Sequence, residues 1–183
     1  MTSIETLRAV HHPVRRRIVD YLFLNGPSQV GTLASALGQQ VGSISHHLRM
    51  LQRVGVVAHA PELATDGRTS WWRLERTGFS WAVDDFAENP ADRMLAKTAE
   101  RLNIEHHLGR LAGWQRSADT SAEEWRRGAF SSDVLAHATP AELADLGERL
   151  ATTWREWRAE IDTDDGRSRE AVFVFAHGFP TRP

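Results

Sequence analysis

Residues 39–53 gather side chains that make directional, non-covalent bonds: Gln39, Gln40, Ser43, Ser45, His46, Arg49 and Arg53, with Val41 and Gly42 set among them. Amide, hydroxyl, imidazole and guanidinium groups are the donors and acceptors that meet base edges and phosphate oxygens. Ile44, Leu48 and Leu51, with Val54 beyond, recur at i, i+4, i+7 and i+10. A helix from about Val41 to Val54 therefore buries its aliphatics and leaves the polar set on its other faces. The plainer alternative for Arg49 and Arg53 is a solvated helix surface.

Other chemistries find less support. Three pairs, His11-His12, His46-His47 and His106-His107, invite a metal reading. Adjacent residues on a helix diverge by about 100°, so one pair is no chelate without i+4 or carboxylate partners. Glu105, His106 and His107 are the least poor set, and the expectation is that no metal or other cofactor is bound. With no cysteine, thiolate sites and disulfides are excluded. The chain lacks a G-x-S-x-G elbow, a Gly-rich phosphate loop and an H-E-x-x-H motif. Asp84-Asp85 and Glu123-Glu124 are mere neighbours, so no enzyme is expected.

The elements that must position the polar set are legible around it. Apolar residues from Ile4 to Leu24 predict a short helix and a longer one, divided at Pro13 and stopped by Asn25-Gly26-Pro27. Ser28 is the expected N-cap of a helix through Val30, Leu33, Ala34 and Leu37, ended by Gly38. Gly55 closes the next helix. Val56–Ala60 and Thr69–Leu74 read as two strands of a hairpin whose tip holds Asp66-Gly67.

The stretch LASALGQQVGSISHHLRMLQRVGVV resembles the ArsR-type winged helix-turn-helix, with the likeness covering roughly residues 5–76. The resemblance implies a homodimeric regulator of transcription, usually a repressor, whose second short helix enters the major groove of an operator. Position by position it places Gln40, Val41, Gly42, Ser43, His46 and Arg49 on double-stranded DNA, with Arg68 as the contact from the wing. Polar residues stand more often where this chain has Val41 and Gly42, so readout there is expected to be apolar or absent. Arg15, Arg16 and Arg17 divide evenly between phosphate contact and structure, because one helix can aim only some of them outward.

Beyond residue 80 the pattern is helical. Asn89-Pro90-Ala91-Asp92 opens one helix, with Met94, Leu95, Leu102, Leu108 and Leu111 as its apolar face. Ser121-Ala122-Glu123-Glu124 and Thr139-Pro140-Ala141-Glu142 match the capping-box pattern. Leu143, Leu146, Leu150, Trp154, Trp157 and Ile161 form a coiled-coil-like seam, and Ala171–Phe175 reads as a terminal strand. Trp114, Trp154 and Trp157 are read with Leu146 and Leu150 as core and dimer seam, and alternatively as the lining of a pocket for an apolar small-molecule effector.

The expected architecture is mainly α with a small β-hairpin wing: a winged helix-turn-helix over 1–80 and a helical C-terminal dimerisation extension over 81–183. Charge divides the same way. Residues 1–80 hold nine arginines against five acidic residues, a net of +4, and residues 81–183 hold 13 basic against 19 acidic, a net of −6. A basic part facing a polyanion fits this split. A different class of reading makes the winged helix a protein-interaction module working through the acidic helical region. The start lacks the apolar stretch of a signal peptide and no segment is apolar enough for a membrane span, so a cytoplasmic location without membrane contact is expected.

Overall fold

The computed structural model describes residues 2–64, 69–75 and 81–182. The wing tip at Asp66-Gly67, and Arg68 with it, lie outside the described residues. The chain divides into two compact units, Met1–Gly109 and Arg110–Pro183.

In the first unit, α1 (Ile4–Val10) and α2 (Pro13–Asn25) meet at the expected proline, which occupies the first helical position, where a missing N–H costs no hydrogen bond. α3 (Val30–Leu37) and α4 (Val41–Arg53) follow. Between them Gly38 adopts a left-handed conformation, φ 63°, and Gln39 N–H donates to Ala34 O at 2.9 Å. Only glycine takes that conformation without a steric cost, and it is what lets α4 follow α3 with only three residues between them. Gly55, φ 68°, plays the corresponding part after α4.

The two expected hairpin strands are present as β2 (Val57–His59) and β3 (Trp71–Leu74), antiparallel, with Val57 opposite Leu74 and His59 opposite Trp72. Ser28 departs from expectation. It is not an N-cap but part of β1 (Ser28–Gln29), which pairs with β3 and makes the sheet three-stranded in the order β1-β3-β2. The capping position falls to Gln29, whose side chain makes no cap bond. Pairing with a distant strand satisfies the backbone that local capping otherwise would, and a local pattern cannot register it.

One core joins these elements: Ile18, Leu22, Leu33, Leu37, Ile44, Leu48, Leu51, Val56, Val57 and Trp72 are all buried together. A smaller cluster sets Leu7 against Ala96 and Ala99 of α5 (Pro90–Ser117), with Ile4, Trp81, Val83 and Phe86 around them. Here too the structure corrects the pattern. α5 buries Ala96 and Ala99, while Met94, Leu95, Leu102, Leu108 and Leu111 are exposed. Small side chains let a helix approach its neighbour closely, and the leucine face is left toward solvent.

In the second unit, α6 (Glu123–Gly128) begins where expected but caps with Ala122 rather than Ser121, whose hydroxyl donates to Ser117 O. α7 (Pro140–Glu160) has the full capping box: Glu142 N–H donates to Thr139 Oγ1 at 3.3 Å, and Thr139 N–H to Glu142 Oε2 at 2.7 Å. Ala171–Phe175 forms no strand. A strand exists only with a ladder partner, and a run of apolar β-branched and aromatic residues does not supply one. None of this unit's described residues is buried.

Candidate nucleic-acid interface

α4 is held from beneath. Ile44, Leu48 and Leu51 have no solvent exposure, and they dock the helix on α1, α2, α3 and the sheet. The opposite side is open: Gln40, Val41, Gly42, His46, Arg49, Gln52 and Arg53 are exposed, and Gln39, Ser43 and Ser45 are half-buried. The residues picked out by type thus share one accessible surface, with Val41 55% exposed at its leading end. Gln40 is the N-cap without a side-chain cap bond, so the first turn's N–H groups point outward unused by its own amide. Gln39 is partly committed, its amide donating to Gly38 O at 3.1 Å.

Electrostatics sharpen this. Several arginines elsewhere are ion-paired, as Arg73 is with Glu62 at 2.6 Å and Arg149 with Asp145 at 2.8 Å. Arg49 and Arg53 have no carboxylate partner among the described residues; Arg53 reaches only Met50 Sδ, at 3.7 Å. The cause is a signal that the residue-type reading missed: no Asp or Glu stands between Asp20 and Glu62. Forty-one consecutive positions, spanning most of the helix-turn-helix, carry no negative charge to neutralise the guanidinium groups or repel phosphate.

The arginine triplet separates. Arg15 is buried, and its guanidinium donates to the carbonyls of Ala9 and Arg8, closing the C-terminus of α1. Arg16 donates to Asn103 Oδ1 of α5 at 3.0 Å and lies 3.6 Å from Asp20. Arg17 alone is exposed. No three His, Asp or Glu side chains converge into a metal-binding group among the described residues. His106 lies 3.7 Å from Asp20, while Glu105 is drawn to Arg101 at 3.9 Å. In the second unit Trp114, Leu150 and Trp154 are half-buried, whereas Leu146 and Trp157 are exposed.

Residues 12–59, which hold α2 through β2, match the family described as "Bacterial regulatory protein, arsR family". The matched segment includes the whole open face of α4 and covers less than half of the chain. No curated protein matches the chain. Among solved structures, a "Possible transcriptional regulator for arsenical resistance" is 23% identical over 65% of this chain and 98% of its own, with a TM-score of 0.34. The apo form of a ZitR mutant from Lactococcus lactis is 16% identical over 79% and 84%, TM-score 0.32. A transcriptional regulator from Thermotoga maritima is 14% identical over 88% and 91%, TM-score 0.34. At such scores these likenesses bear no weight, and the ArsR match rests on residues 12–59.

One ionisable group behind the interface makes stability pH-dependent. Burial, then the nearby positive field of Arg16, His106 and His107, lowers the pKa of His11 to about 4. The unfolded chain takes up this proton near pH 6.5 and the folded chain does not, so stability present at neutral pH drains away between about 6.5 and 4. His12 and His47 shift in the same direction. Urea denaturation is expected to show about 2 kcal/mol less stability at pH 4.5 than at 7.5, after discounting His11 for its partial exposure. A His11→Asn variant should lose part of that dependence, and an identical pH profile would refute the assignment.

Proposed function

We propose that this chain is a sequence-specific, homodimeric transcriptional regulator, a repressor by its ArsR resemblance, that docks α4 in the major groove of an inverted-repeat operator. One observation carries this reading: an aliphatic-anchored helix whose outer face holds arginines with no carboxylate partner among the described residues, within a stretch free of carboxylates. Gln39, Gln40, Ser43, Ser45, His46, Arg49 and Arg53 are the proposed contacts to bases and phosphates, with Val41 and Gly42 meeting the groove floor. Arg68 is the proposed backbone contact from the wing.

Homodimerisation is supported by what each chain leaves uncovered. The leucine row of α5 is exposed, and the second unit has eight Trp and Phe residues yet no buried side chain among its described residues. Such surfaces call for association. Leu146, Leu150, Trp154 and Trp157 are the proposed seam, and an apolar effector seated near Trp114 would act by favouring one dimer geometry over another. A dyad sets two α4 helices about 34 Å apart, one turn of DNA.

The test is binding of the purified chain to DNA from immediately upstream of its own coding sequence, with salt varied and the mass of the free protein followed by sedimentation. Affinity in the nanomolar range that falls steeply with salt, from a dimer, is the expected result. Weak binding indifferent to sequence would favour a protein-interaction module acting through the acidic second unit, and a monomer would overturn the homodimer.

A further inference from the structure

The elbow between α1 and α2 carries two adjacent histidines that face different neighbours. His11 meets Trp81 edge-on at 5.9 Å, on the side where Arg16, His106 and His107 act on it. His12, the N-cap of α2, lies against His47 of α4, with ring centroids 4.8 Å apart and planes tilted by 40°. The contact therefore joins the elbow directly to the helix whose outer face is the proposed interface.

Its chemistry is unusual. The Nδ1 atoms of His12 and His47 are both shielded from solvent, and neither has a hydrogen-bond partner among the described residues. Buried polar atoms are normally satisfied, so two orphans in one contact ask for an explanation other than hydrogen bonding. The surroundings favour two neutral rings. From α2 comes Arg15, tied to the carbonyls of Ala9 and Arg8; from α1, Arg8 stands beside Arg15; from α4, the His46 ring is 5.6 Å from His47. α3, which packs against both helices, has no titratable side chain. No carboxylate is among the groups that act on either ring. A proton on one imidazole thus meets a second imidazole and a guanidinium, with no acid to balance it.

We propose that His12 is a positioning residue for α4, acting through His47 only while both rings are neutral, so that acidification loosens the helix and weakens DNA binding. The proposal rests on the DNA-binding reading above. Its sign separates it from simple charge effects. Added positive charge beside a polyanion would tighten binding as pH falls. A loss of affinity that a double phenylalanine variant of His12 and His47 does not share comes neither from added charge nor from His11, and so reports the altered seat of the helix.

Phenylalanine provides the discriminating substitution, since it keeps a flat ring in contact and replaces each orphaned nitrogen by a C–H that needs no partner. Affinity for a labelled duplex of the chain's own upstream DNA would be measured by anisotropy at constant ionic strength from pH 7.5 to 5.5. The wild type is expected to lose roughly fivefold or more. His12→Phe/His47→Phe should match wild type at pH 7.5 and then stay level or gain. His47→Gln, which removes the ring contact, should bind weakly at both pH values. Wild-type affinity that holds or rises on acidification overturns the proposal. A wild type that binds no DNA at pH 7.5 instead overturns the regulator reading, and amide NMR of the free protein then decides the positioning role. Signals of Val41–Arg53 should move with acid in the wild type and much less in the double phenylalanine variant; equal movement, or none, refutes it.

Discussion

Leu48→Ala is expected to remove about 2–5 kcal/mol from the folding stability of the N-terminal unit. Leu48 is wholly buried at the middle of α4, between Ile44 and Leu51, in the core shared by the first four helices and the sheet. Truncation leaves a cavity that close-packed neighbours fill only in part. For a unit of this size such a loss lowers the melting temperature by roughly 10 °C or more. A calorimetric scan or urea titration would measure it. A change below about 1 kcal/mol would mean that α4 is not anchored as described, and the reading of its outer face would lose its support.

Arg49→Ala is expected to leave stability unchanged and to lower operator affinity by roughly fivefold to a hundredfold, as for loss of about 1–3 kcal/mol of base contact. The argument is the separation of faces. Arg49 is exposed, on the side of α4 away from Leu48, and has no carboxylate to hold it among the described residues. Lysine should rescue the charge but not a two-pronged contact to guanine, so Arg49→Lys should recover only part of the affinity. Arg149→Ala serves as the control, since Arg149 already pairs with Asp145 in the second unit. Equal affinities of Arg49→Ala and wild type on the same duplex would remove Arg49 from the interface.

These two variants probe features of α4 that were readable for different reasons. Leu48 was legible because helical periodicity is a local property: a spacing of 3.6 residues per turn fixes which aliphatics share a face. Arg49 was legible by type and by its place in the motif, but its lack of a counter-charge depends on what the rest of the fold brings near. The arginine triplet shows the limit plainly. Three consecutive side chains look alike in sequence, yet Arg15 closes α1, Arg16 binds Asn103 and Asp20, and Arg17 faces solvent. The 100° step between neighbours sends them to different surroundings, and only packing says what those are.

Ser28 and Ala171–Phe175 fail in opposite senses for one reason. Ser28 became a strand residue because Trp72 of the distant β3 arrives beside it, while the apolar run near the end found no such partner among the described residues. Strand formation is a pairing event, so its evidence lies outside the segment.

The order of helices, the glycine that turns α3 into α4, the aliphatic anchor of the recognition helix and the ArsR resemblance all followed from residue types and spacings, because each is decided within a few turns of chain. The third strand, the burial of Ala96 and Ala99 in place of the α5 leucines, and the meeting of His12 with His47 were decided only by tertiary structure. Each of these depends on which surfaces come together at long range, where complementarity of shape and charge between distant segments chooses the contact and local preference has no part in it.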